Sequence, residues 1–307
     1  MQVRHRLFLL LFGGAILLTV VLPTVLLRVE SARSSDSAAC SRLVSLSPSL
    51  TQTVLALGLA SSLVGVTRFC TLPLGQEVAR VGGFLDPDLE AVVAARPTLV
   101  LLLPAQDEVR ASLEDFGLRT LTAGNDTVDQ ILQTVGEIGR RCHVVDRAEV
   151  VVKALQGMIR RVAEAVPEGK RPRVLLSVGR SLADPVLREV HLAGPRTFLG
   201  ELLVLAGGTN AYTRTEGPAY PALSAEGVLS LDPEVVLEVL PESDLGSLGP
   251  VQALRAWYRL SSLTAAREGR IHLVTRPEGV VPGPEFVWWL ERFASLLHPV
   301  ATPEADR

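Results

Sequence analysis

Lysine is scarce in this chain of 307 residues, and several short catalytic motifs are missing from it. Only Lys153 and Lys170 are lysines, so arginine supplies nearly all of the positive charge. The formal net charge is -3 and no basic block occurs, which argues against a nucleic-acid partner. The sequence also lacks a Gly-x-Ser-x-Gly elbow, a Gly-rich phosphate loop and a His-Glu-x-x-His helix. An α/β hydrolase or another enzyme is therefore the weaker interpretation.

Cysteine is equally scarce, with three residues at Cys40, Cys70 and Cys142. An odd number implies no disulfide framework. A bridge between Cys70 and Cys142 is compatible with an oxidising compartment, but buried single thiols are the favoured interpretation. The small residues Ser37–Ala39 precede Cys40, which leaves lipid attachment at Cys40 as a secondary prediction.

The N-terminus predicts an export signal or a membrane anchor. Three basic or titratable residues at positions 4–6 precede an uncharged apolar stretch at residues 7–27. Its 21 residues can span a bilayer, which needs about 20, whereas a cleaved signal usually has an apolar core of about 7 to 15. We favour an uncleaved anchor over a cleaved signal. The positive charge before the span predicts that the remaining chain lies outside the cytoplasm, secreted or anchored at the periplasmic or extracellular face of the membrane.

From Arg42 onward, short β-rich runs alternate with helical patterns, which is typical of parallel α/β proteins. Ser47 and Pro48 have the residue types of an N-cap and a first helical position. The predicted strands of the first series are residues 43–46, 63–66, 99–103 and 118–121. The predicted helices of this series are residues 48–57, 89–95, 106–116 and 128–140.

A long amphipathic segment divides the chain into two α/β lobes. Apolar residues recur at helical spacing from Asp146 to Ala165, and a Pro- and Gly-containing breaker follows. A second series then begins at residue 174, with predicted strands at 235–239 and 271–274. We predict a signal or anchor with its linker at residues 1–40, an N-lobe at 41–145, a connecting helix at 146–166, a C-lobe at 167–299 and a tail at 300–307.

The two lobes contain an internal sequence repeat at a shift of 136 residues. Each copy has a glutamate in the first turn of a short helix, a proline seven residues later and then an apolar strand. The two glutamates are Glu90 and Glu226. The match covers five of twelve positions and moderately supports two related lobes.

Several segments resemble the solute-binding proteins for vitamin B12, ferric siderophores and haem. The N-lobe carries the resemblance in residues 42–51 (RLVSLSPSLT), 64–67 (VGVT), 81–90 (VGGFLDPDLE) and 96–100 (RPTLV). The C-lobe carries it in residues 193–198 (AGPRTF), 205–210 (LAGGTN) and 220–226 (YPALSAE). The resemblance runs in order from about residue 42 to 299. It implies two Rossmann-like lobes with central parallel sheets, joined by one long backbone helix, with a ligand cleft between them.

The resemblance also implies partners. Proteins of this type deliver their ligand to the transmembrane permease of an ABC importer, which works with an ATPase. One surface glutamate on each lobe engages permease arginines, and these glutamates correspond to Glu90 and Glu226. A carboxylate in a first helical turn is also favourable on its own, because it interacts with the helix N-terminus.

Ligand contacts are expected in loops at the carboxyl ends of the strands, where open α/β sheets bind ligands. Phe69, Phe84 and Tyr220 offer flat surfaces for a macrocycle or chelate. By resemblance, Phe84 and Tyr220 occupy positions where corrinoid-binding members place aromatic side chains. Packing within each residue's own loop is the competing interpretation.

Three arginines in these loops are further candidates. Arg68, Arg180 and Arg276 could bind phosphate or carboxylate groups of a chelate through paired hydrogen bonds. A solvated surface position is the favoured interpretation for each, because the chain is rich in arginine. Cys70 also lies in a candidate loop, where a plain loop thiol is favoured over a metal contact.

The histidines at 143, 191, 272 and 298 have no spacing that builds a zinc site, and no resident cofactor is expected. We rank the predicted ligand as a corrinoid first, a ferric siderophore second and haem third. The alternative function is a membrane-tethered ligand sensor or adaptor of the same fold.

Overall fold

The computed structural model describes residues 40–169, 171–182 and 184–299. The predicted anchor at residues 7–27 and the tail at 300–307 lie outside these residues. Among the described helices, none combines the length and the apolar character needed to cross a bilayer.

The N-lobe is built on a parallel sheet of five strands in the order β3-β2-β1-β4-β5. The strands are β1 (Leu43–Ser45), β2 (Leu63–Val66), β3 (Ala79–Arg80), β4 (Leu99–Leu102) and β5 (Thr120–Thr122). The helices are α1 (Pro48–Ala56), α2 (Leu89–Ala94), α3 (Asp107–Asp115) and α4 (Val128–Arg141). All residues of β1 and β4 are buried, as expected for parallel strands covered by helices on both faces. This order is that of a doubly wound sheet, which places the ligand-binding edge at the carboxyl ends of the strands.

A 21-residue helix, α5 (Val145–Ala165), connects the lobes. Ala148 packs in the N-lobe core beneath β1 and β4, whereas Leu155 and Val162 pack in the C-lobe core. One helix therefore contributes side chains to both cores, which explains its amphipathic pattern over five turns.

The C-lobe sheet has six strands and is mixed. Its main path is β11-β10-β6-β7-β9, and β8 pairs with β6. The strands are β6 (Arg173–Gly179), β7 (Glu189–Leu192), β8 (Thr209–Asn210), β9 (Ala222–Ser224), β10 (Val235–Pro241) and β11 (Ile271–Arg276). The helices are α6 (Phe198–Leu205), α7 (Ala225–Leu231), α8 (Glu242–Leu245), α9 (Gly249–Tyr258), α10 (Thr264–Arg267) and α11 (Phe286–Leu297). The predicted α/β class with two lobes is confirmed, and the antiparallel strands β7 and β9 are additions that the sequence did not predict. The division at residues 145 and 166 stays a prediction.

The internal sequence repeat has a structural counterpart. Helix α7 begins 136 residues after α2, and β10 begins 136 residues after β4. Each helix is followed by a residue in the left-handed conformation, Arg96 with φ of 47° and Asp232 with φ of 39°, again 136 residues apart. Since non-glycine residues seldom adopt positive φ, the shared position indicates that both lobes repeat one helix-turn-strand unit.

An arginine fixes the end of the helix in each copy of this unit. The guanidinium of Arg42 donates to the carbonyl oxygen of Ala95 at 2.6 Å, and that of Arg173 donates to the carbonyl oxygen of Leu231 at 2.5 Å. Ala95 and Leu231 are also 136 residues apart. Each guanidinium bonds to the carbonyl of the following left-handed residue as well. Basic groups at a helix C-terminus satisfy its free carbonyls, so the two arginines have the same structural role.

The cysteines differ from the predictions. Cys40 and Cys142 form a disulfide across 102 residues of sequence, while Cys70 is free and buried. The favoured interpretation of buried single thiols is confirmed for Cys70 and wrong for Cys142, and the Cys70–Cys142 bridge that the sequence left open does not form. The Sγ of Cys40 is bonded to Cys142, an arrangement that differs from the secondary prediction of a lipid thioether at Cys40. Parity of the cysteine count cannot distinguish one bridge plus one thiol from three thiols.

Candidate functional site: the cleft between the lobes

The lobes approach each other where the start of α1 faces the loop that follows β11. At Gly283 an added Cβ would lie 2.4 Å from Gln52 Oε1 and 3.2 Å from the Ser49 carbonyl oxygen. The absence of a side chain at Gly283 therefore lets the loop approach α1 closely, and a larger residue would require Gln52 and the loop to shift. The N-terminus of α1, with Pro48 at its first position, therefore forms one wall of the cleft.

Two adjoining hollows of about 280 Å³ and about 330 Å³ lie between the lobes and share Pro48, Phe69 and Val281. We call them together the cleft. The N-lobe contributes residues at the ends of β1, β2, β4 and β5, and the C-lobe contributes the loop after β11. The remaining described lining residues are Ser47, Ser49, Gln52, Leu55, Thr71, Leu72, Pro73, Phe84, Leu103, Asn125, Arg276, Glu278, Val280, Pro282 and Glu285.

The N-lobe wall is a chain of neutral hydrogen-bonding groups. Asn125 Nδ2 donates to Ser49 Oγ at 3.0 Å, and Ser49 Oγ lies 2.9 Å from Ser47 Oγ. Behind this wall, Thr51 Oγ1 donates to Ser45 Oγ at 2.9 Å and to Cys70 Sγ at 3.1 Å. Ser45 Oγ donates to the Ser47 carbonyl oxygen at 3.0 Å, so the buried groups behind the wall fix its backbone. The wall itself presents hydroxyl and amide groups at the lining of the cleft.

Two of the three predicted aromatic contacts lie in the cleft. Phe69 is 56% exposed and lines both hollows, and Phe84 lines one of them. The carbonyl of Phe84 accepts a hydrogen bond from Gln106 Nε2 at 2.7 Å, which fixes its loop. Both phenyl rings therefore line the cleft, and their role as ligand contacts stays a prediction.

Tyr220 is half exposed and does not belong to the described lining of the cleft. Partial burial raises the pKa of the Tyr220 phenol, and the negative charge of Asp126 raises it further. Asp126 belongs to the N-lobe and Tyr220 to the C-lobe, so the charge of one lobe influences the phenol of the other.

Arg276 lies in the cleft with two carboxylates. Its Nη2 atom is 2.5 Å from Glu278 Oε1 and 2.7 Å from Glu285 Oε2. Its guanidinium carbon lies 5.1 Å from the ring centroid of Trp288. The predicted solvated position for Arg276 is wrong, because its side chain is only 22% exposed and is held by these three groups.

Arg68 lies near the cleft. It forms an ion pair with Asp86 at 3.1 Å, and its guanidinium carbon lies 5.0 Å from the Phe69 ring. The side chain is 53% exposed, in agreement with a solvated position. Arg68 therefore orients Phe69 rather than lining the hollows itself.

Arg180 is not brought together with the other candidates. It lines a separate hollow of about 390 Å³ whose described residues all belong to the C-lobe. Its side chain is 2% exposed and pairs with the fully buried Glu238 at 3.2 Å, while Trp257 Nε1 donates to the same carboxylate. Burial raises the pKa of Glu238, and Arg180 opposes that shift. The solvated interpretation of Arg180 is wrong, since it belongs to a buried ion pair of the C-lobe core.

Glu90 and Glu226 occupy equivalent places on the two lobes. Each is the second residue of its helix, α2 or α7, and each is exposed. The helices are capped alike, because Asp88 Oδ1 accepts from Ala91 N at 2.9 Å and Ser224 Oγ accepts from Gly227 N at 3.3 Å. Two carboxylates are thus presented by the repeated unit in the same local geometry.

Sequence reasoning missed part of the cleft. Ser47, Ser49 and Asn125 follow β1 and β5, and the rule that selected the other strand ends would have selected these loops too. Glu285 was missed for a different reason, because it follows the loop by several residues and reaches Arg276 only through the fold. In the part of the chain that the structure describes, no cluster of three or more His, Cys, Asp or Glu side chains could hold a metal ion.

Two α/β lobes on a shared helix, with a lined cleft between them, define a protein that binds a ligand between lobes. The profile of the periplasmic binding protein family matches residues 43–276, and the chain belongs to that family. A cobalamin-binding protein of Halobacterium salinarum is 29% identical over 277 residues, covering 84% of this chain and 69% of the relative.

Solved structures show the same fold. The periplasmic heme-binding protein HutB of Vibrio cholerae has a TM-score of 0.73 at 23% identity, covering 84% of this chain and 99% of that one. The periplasmic vitamin B12-binding protein BtuF of Vibrio cholerae has a TM-score of 0.68 at 21% identity, covering 84% and 97%. These relatives are named as binding proteins rather than enzymes.

Proposed function

We propose that this protein is the extracytoplasmic substrate-binding component of an ABC importer and that it captures a metal chelate in the cleft. The observation that carries the proposal is the lining itself. Two phenyl rings, from Phe69 and Phe84, lie beside the neutral hydroxyl and amide groups of Ser47, Ser49 and Asn125. Aromatic faces bury a large area of a macrocycle, while hydroxyls and amides can pair with polar groups at its edge.

A corrinoid is the first choice of ligand. The edge of a corrin ring carries many amide side chains, which match a neutral hydrogen-bonding wall better than they match charged groups. The relative from Halobacterium salinarum is named as cobalamin-binding, which supports the same choice. A ligand of this size would fill both hollows and extend beyond them. A ferric siderophore is the second choice and haem the third.

The ligand proposal is tested by calorimetric titration of the full chain in detergent with cyanocobalamin, a ferric hydroxamate siderophore and haemin. We expect cyanocobalamin to bind most tightly. Phe84→Ala should weaken that binding by roughly tenfold or more, because about 1.5 to 3 kcal/mol of apolar contact is lost. Phe116→Ala is the matched control, since Phe116 is an exposed N-lobe phenylalanine that does not line the cleft. Binding of the siderophore complex without binding of cyanocobalamin would overturn the ranking.

Delivery is proposed to use Glu90 and Glu226. Their equivalent positions on the two lobes suit a permease with one arginine site for each lobe, because carboxylate-arginine pairs set register and orientation. The charge and exposure of the two side chains support this role, and the match between the two capped helices supports the pairing.

The docking proposal is tested with Glu90→Ala/Glu226→Ala in reconstituted uptake with the cognate permease and ATPase. We expect uptake to fall strongly while ligand affinity stays unchanged. Glu108→Ala/Glu242→Ala is the matched control, because both are exposed first-turn glutamates, one on each lobe. Normal uptake by the Glu90/Glu226 variant would refute docking through these glutamates, whereas no uptake even with the unaltered protein would favour the tethered sensor.

A further inference from the structure

We infer that the cleft selects its ligand by charge, favouring neutral and cationic chelates over anionic ones; this inference rests on the proposed function and narrows its ligand class. The three charged side chains among the described lining residues are Arg276, Glu278 and Glu285. They come from the C-lobe and lie in one ion-pair cluster. One positive and two negative groups leave this wall with a formal charge of -1.

Arg276 does not act as an anion receptor in this arrangement. A ligand carboxylate or phosphate that approached Nη2 would meet two carboxylates already 2.5 Å and 2.7 Å from it. The guanidinium also lies over the Trp288 ring at 5.1 Å, which restricts its movement toward a ligand. An anionic ligand would therefore gain little from the arginine and would be repelled by the surplus carboxylate.

Arg68, beside the cleft, does not restore a positive charge. It pairs one to one with Asp86 at 3.1 Å, so that pair adds no net charge. The described N-lobe residues that line the two hollows are all uncharged. The surplus negative charge of the C-lobe wall is therefore not balanced within the cleft.

The position of the carboxylates makes the charge effective. Glu278 is 15% exposed and Glu285 is 50% exposed, so Glu278 is screened less by salt than a surface group would be. One uncompensated charge about 6 Å from a ligand charge, at an effective dielectric constant of about 40, changes affinity by about tenfold. The same calculation predicts the opposite sign for a cationic ligand.

The experiment uses a matched series of corrinoids that differ only in peripheral charge. In cyanocobalamin the chosen side chain is a neutral amide; in one derivative it is a carboxylate, and in another it carries a terminal amine. We expect calorimetry on the full chain at low salt to rank the amine first, the amide second and the carboxylate last, with about tenfold between neighbours. The spread should shrink in high salt.

Two variants test whether Glu278 and Glu285 cause the preference for ligand charge. Glu278→Gln/Glu285→Gln removes both carboxylates while keeping their shape, so the carboxylate derivative should become the tightest ligand. Glu291→Gln is the matched control, because Glu291 is an exposed C-lobe carboxylate outside the cleft, and the original order should persist.

The outcomes separate this inference from the proposed function. Binding of all three corrinoids with equal affinity, or with the carboxylate form tightest in the unaltered protein, overturns charge selection and leaves the capture of corrinoids standing. If no corrinoid binds, the same three charges are compared on a ferric trihydroxamate. Charge selection stands if the amine form of the trihydroxamate binds most tightly and the carboxylate form most weakly. If none of the trihydroxamates binds either, charge selection and the proposed capture of chelates are both refuted. A charge order that the double variant leaves unchanged overturns the assignment to Glu278 and Glu285.

Discussion

The two lobes share one unit and differ almost everywhere else. The helix-turn-strand unit that carries Glu90 in the N-lobe recurs with Glu226 in the C-lobe, with matching caps and matching left-handed residues. The sheets differ, because the N-lobe sheet is parallel throughout and the C-lobe sheet contains two antiparallel pairings. The repeated unit carries the two glutamates proposed for docking, whereas the described cleft is lined by other parts of the two lobes. The docking proposal therefore uses the shared unit, and the ligand proposal uses parts that the lobes do not share.

The interiors of the lobes also differ at equivalent positions. Glu238 of β10 corresponds, at the same shift of 136, to Leu102 of β4, and both are fully buried. The C-lobe therefore holds a buried ion pair with Arg180 where the N-lobe holds an aliphatic side chain. The N-lobe instead has the disulfide between Cys40 and Cys142.

Of the changes predicted here, replacement of Arg180 should have the largest effect on the stability of the protein. Arg180→Met leaves the Glu238 carboxylate buried without its partner, which should lower the free energy of unfolding by about 3 to 5 kcal/mol. Urea denaturation followed by tryptophan fluorescence measures this loss, since Trp257 contacts the same carboxylate.

The double variant Arg180→Met/Glu238→Gln is the control for charge. The amide oxygen that Glu238→Gln introduces would still accept the Trp257 hydrogen bond without a buried charge, so most of the lost stability should return. Equal instability of the single and double variants would show that packing, not the unpaired charge, is responsible.

Much of the fold followed from local signals. Pro48 and Gly58 bound the first helix, where Gly58 adopts a φ of 69°, and the apolar runs at 99–102 and 235–241 are strands. Such features depend on neighbouring residues, so the sequence displays them directly. Strands β7 and β9 were missed because they are short, and their pairing joins segments about thirty residues apart.

Pairings between distant residues could not be predicted. The Cys40–Cys142 bond spans 102 residues, and the partner of Glu238 precedes it by 58. In the site, strand ends indicated Phe69, Phe84 and Arg276, but not that Arg276 is held by Glu278 and Glu285. Residue type predicts what a side chain can bind, whereas only the fold determines which partner reaches it first.

Replacing the arginine that bonds to the helix end should lower the free energy of unfolding by the same intermediate amount in both lobes. Arg42→Met and Arg173→Met each remove hydrogen bonds to the last carbonyls of α2 and α7, so each should cost about 1 to 2 kcal/mol. Hydrogen exchange should show faster opening of the affected helix only. Lysine variants should recover part of the loss, because one ammonium can reach one carbonyl. If only one of the two methionine variants lost stability, the two arginines would not have equivalent roles.

The smallest predicted effect concerns the pKa of Tyr220, a C-lobe residue that is influenced by Asp126 of the N-lobe. Partial burial and then Asp126 raise the pKa of this phenol, so Asp126→Asn should lower the pKa part of the way toward its ordinary value. Because the folded-state pKa lies above the unfolded value, Tyr220 stabilises the fold fully below that unfolded value, which is about 10. That contribution is lost as pH rises through the folded-state pKa.

Ultraviolet titration of the phenolate measures the pKa shift, and the control variant Asp129→Asn, in the first turn of α4, should leave the pKa of Tyr220 unchanged. No shift in Asp126→Asn would mean that the two lobes do not approach each other at this point in solution.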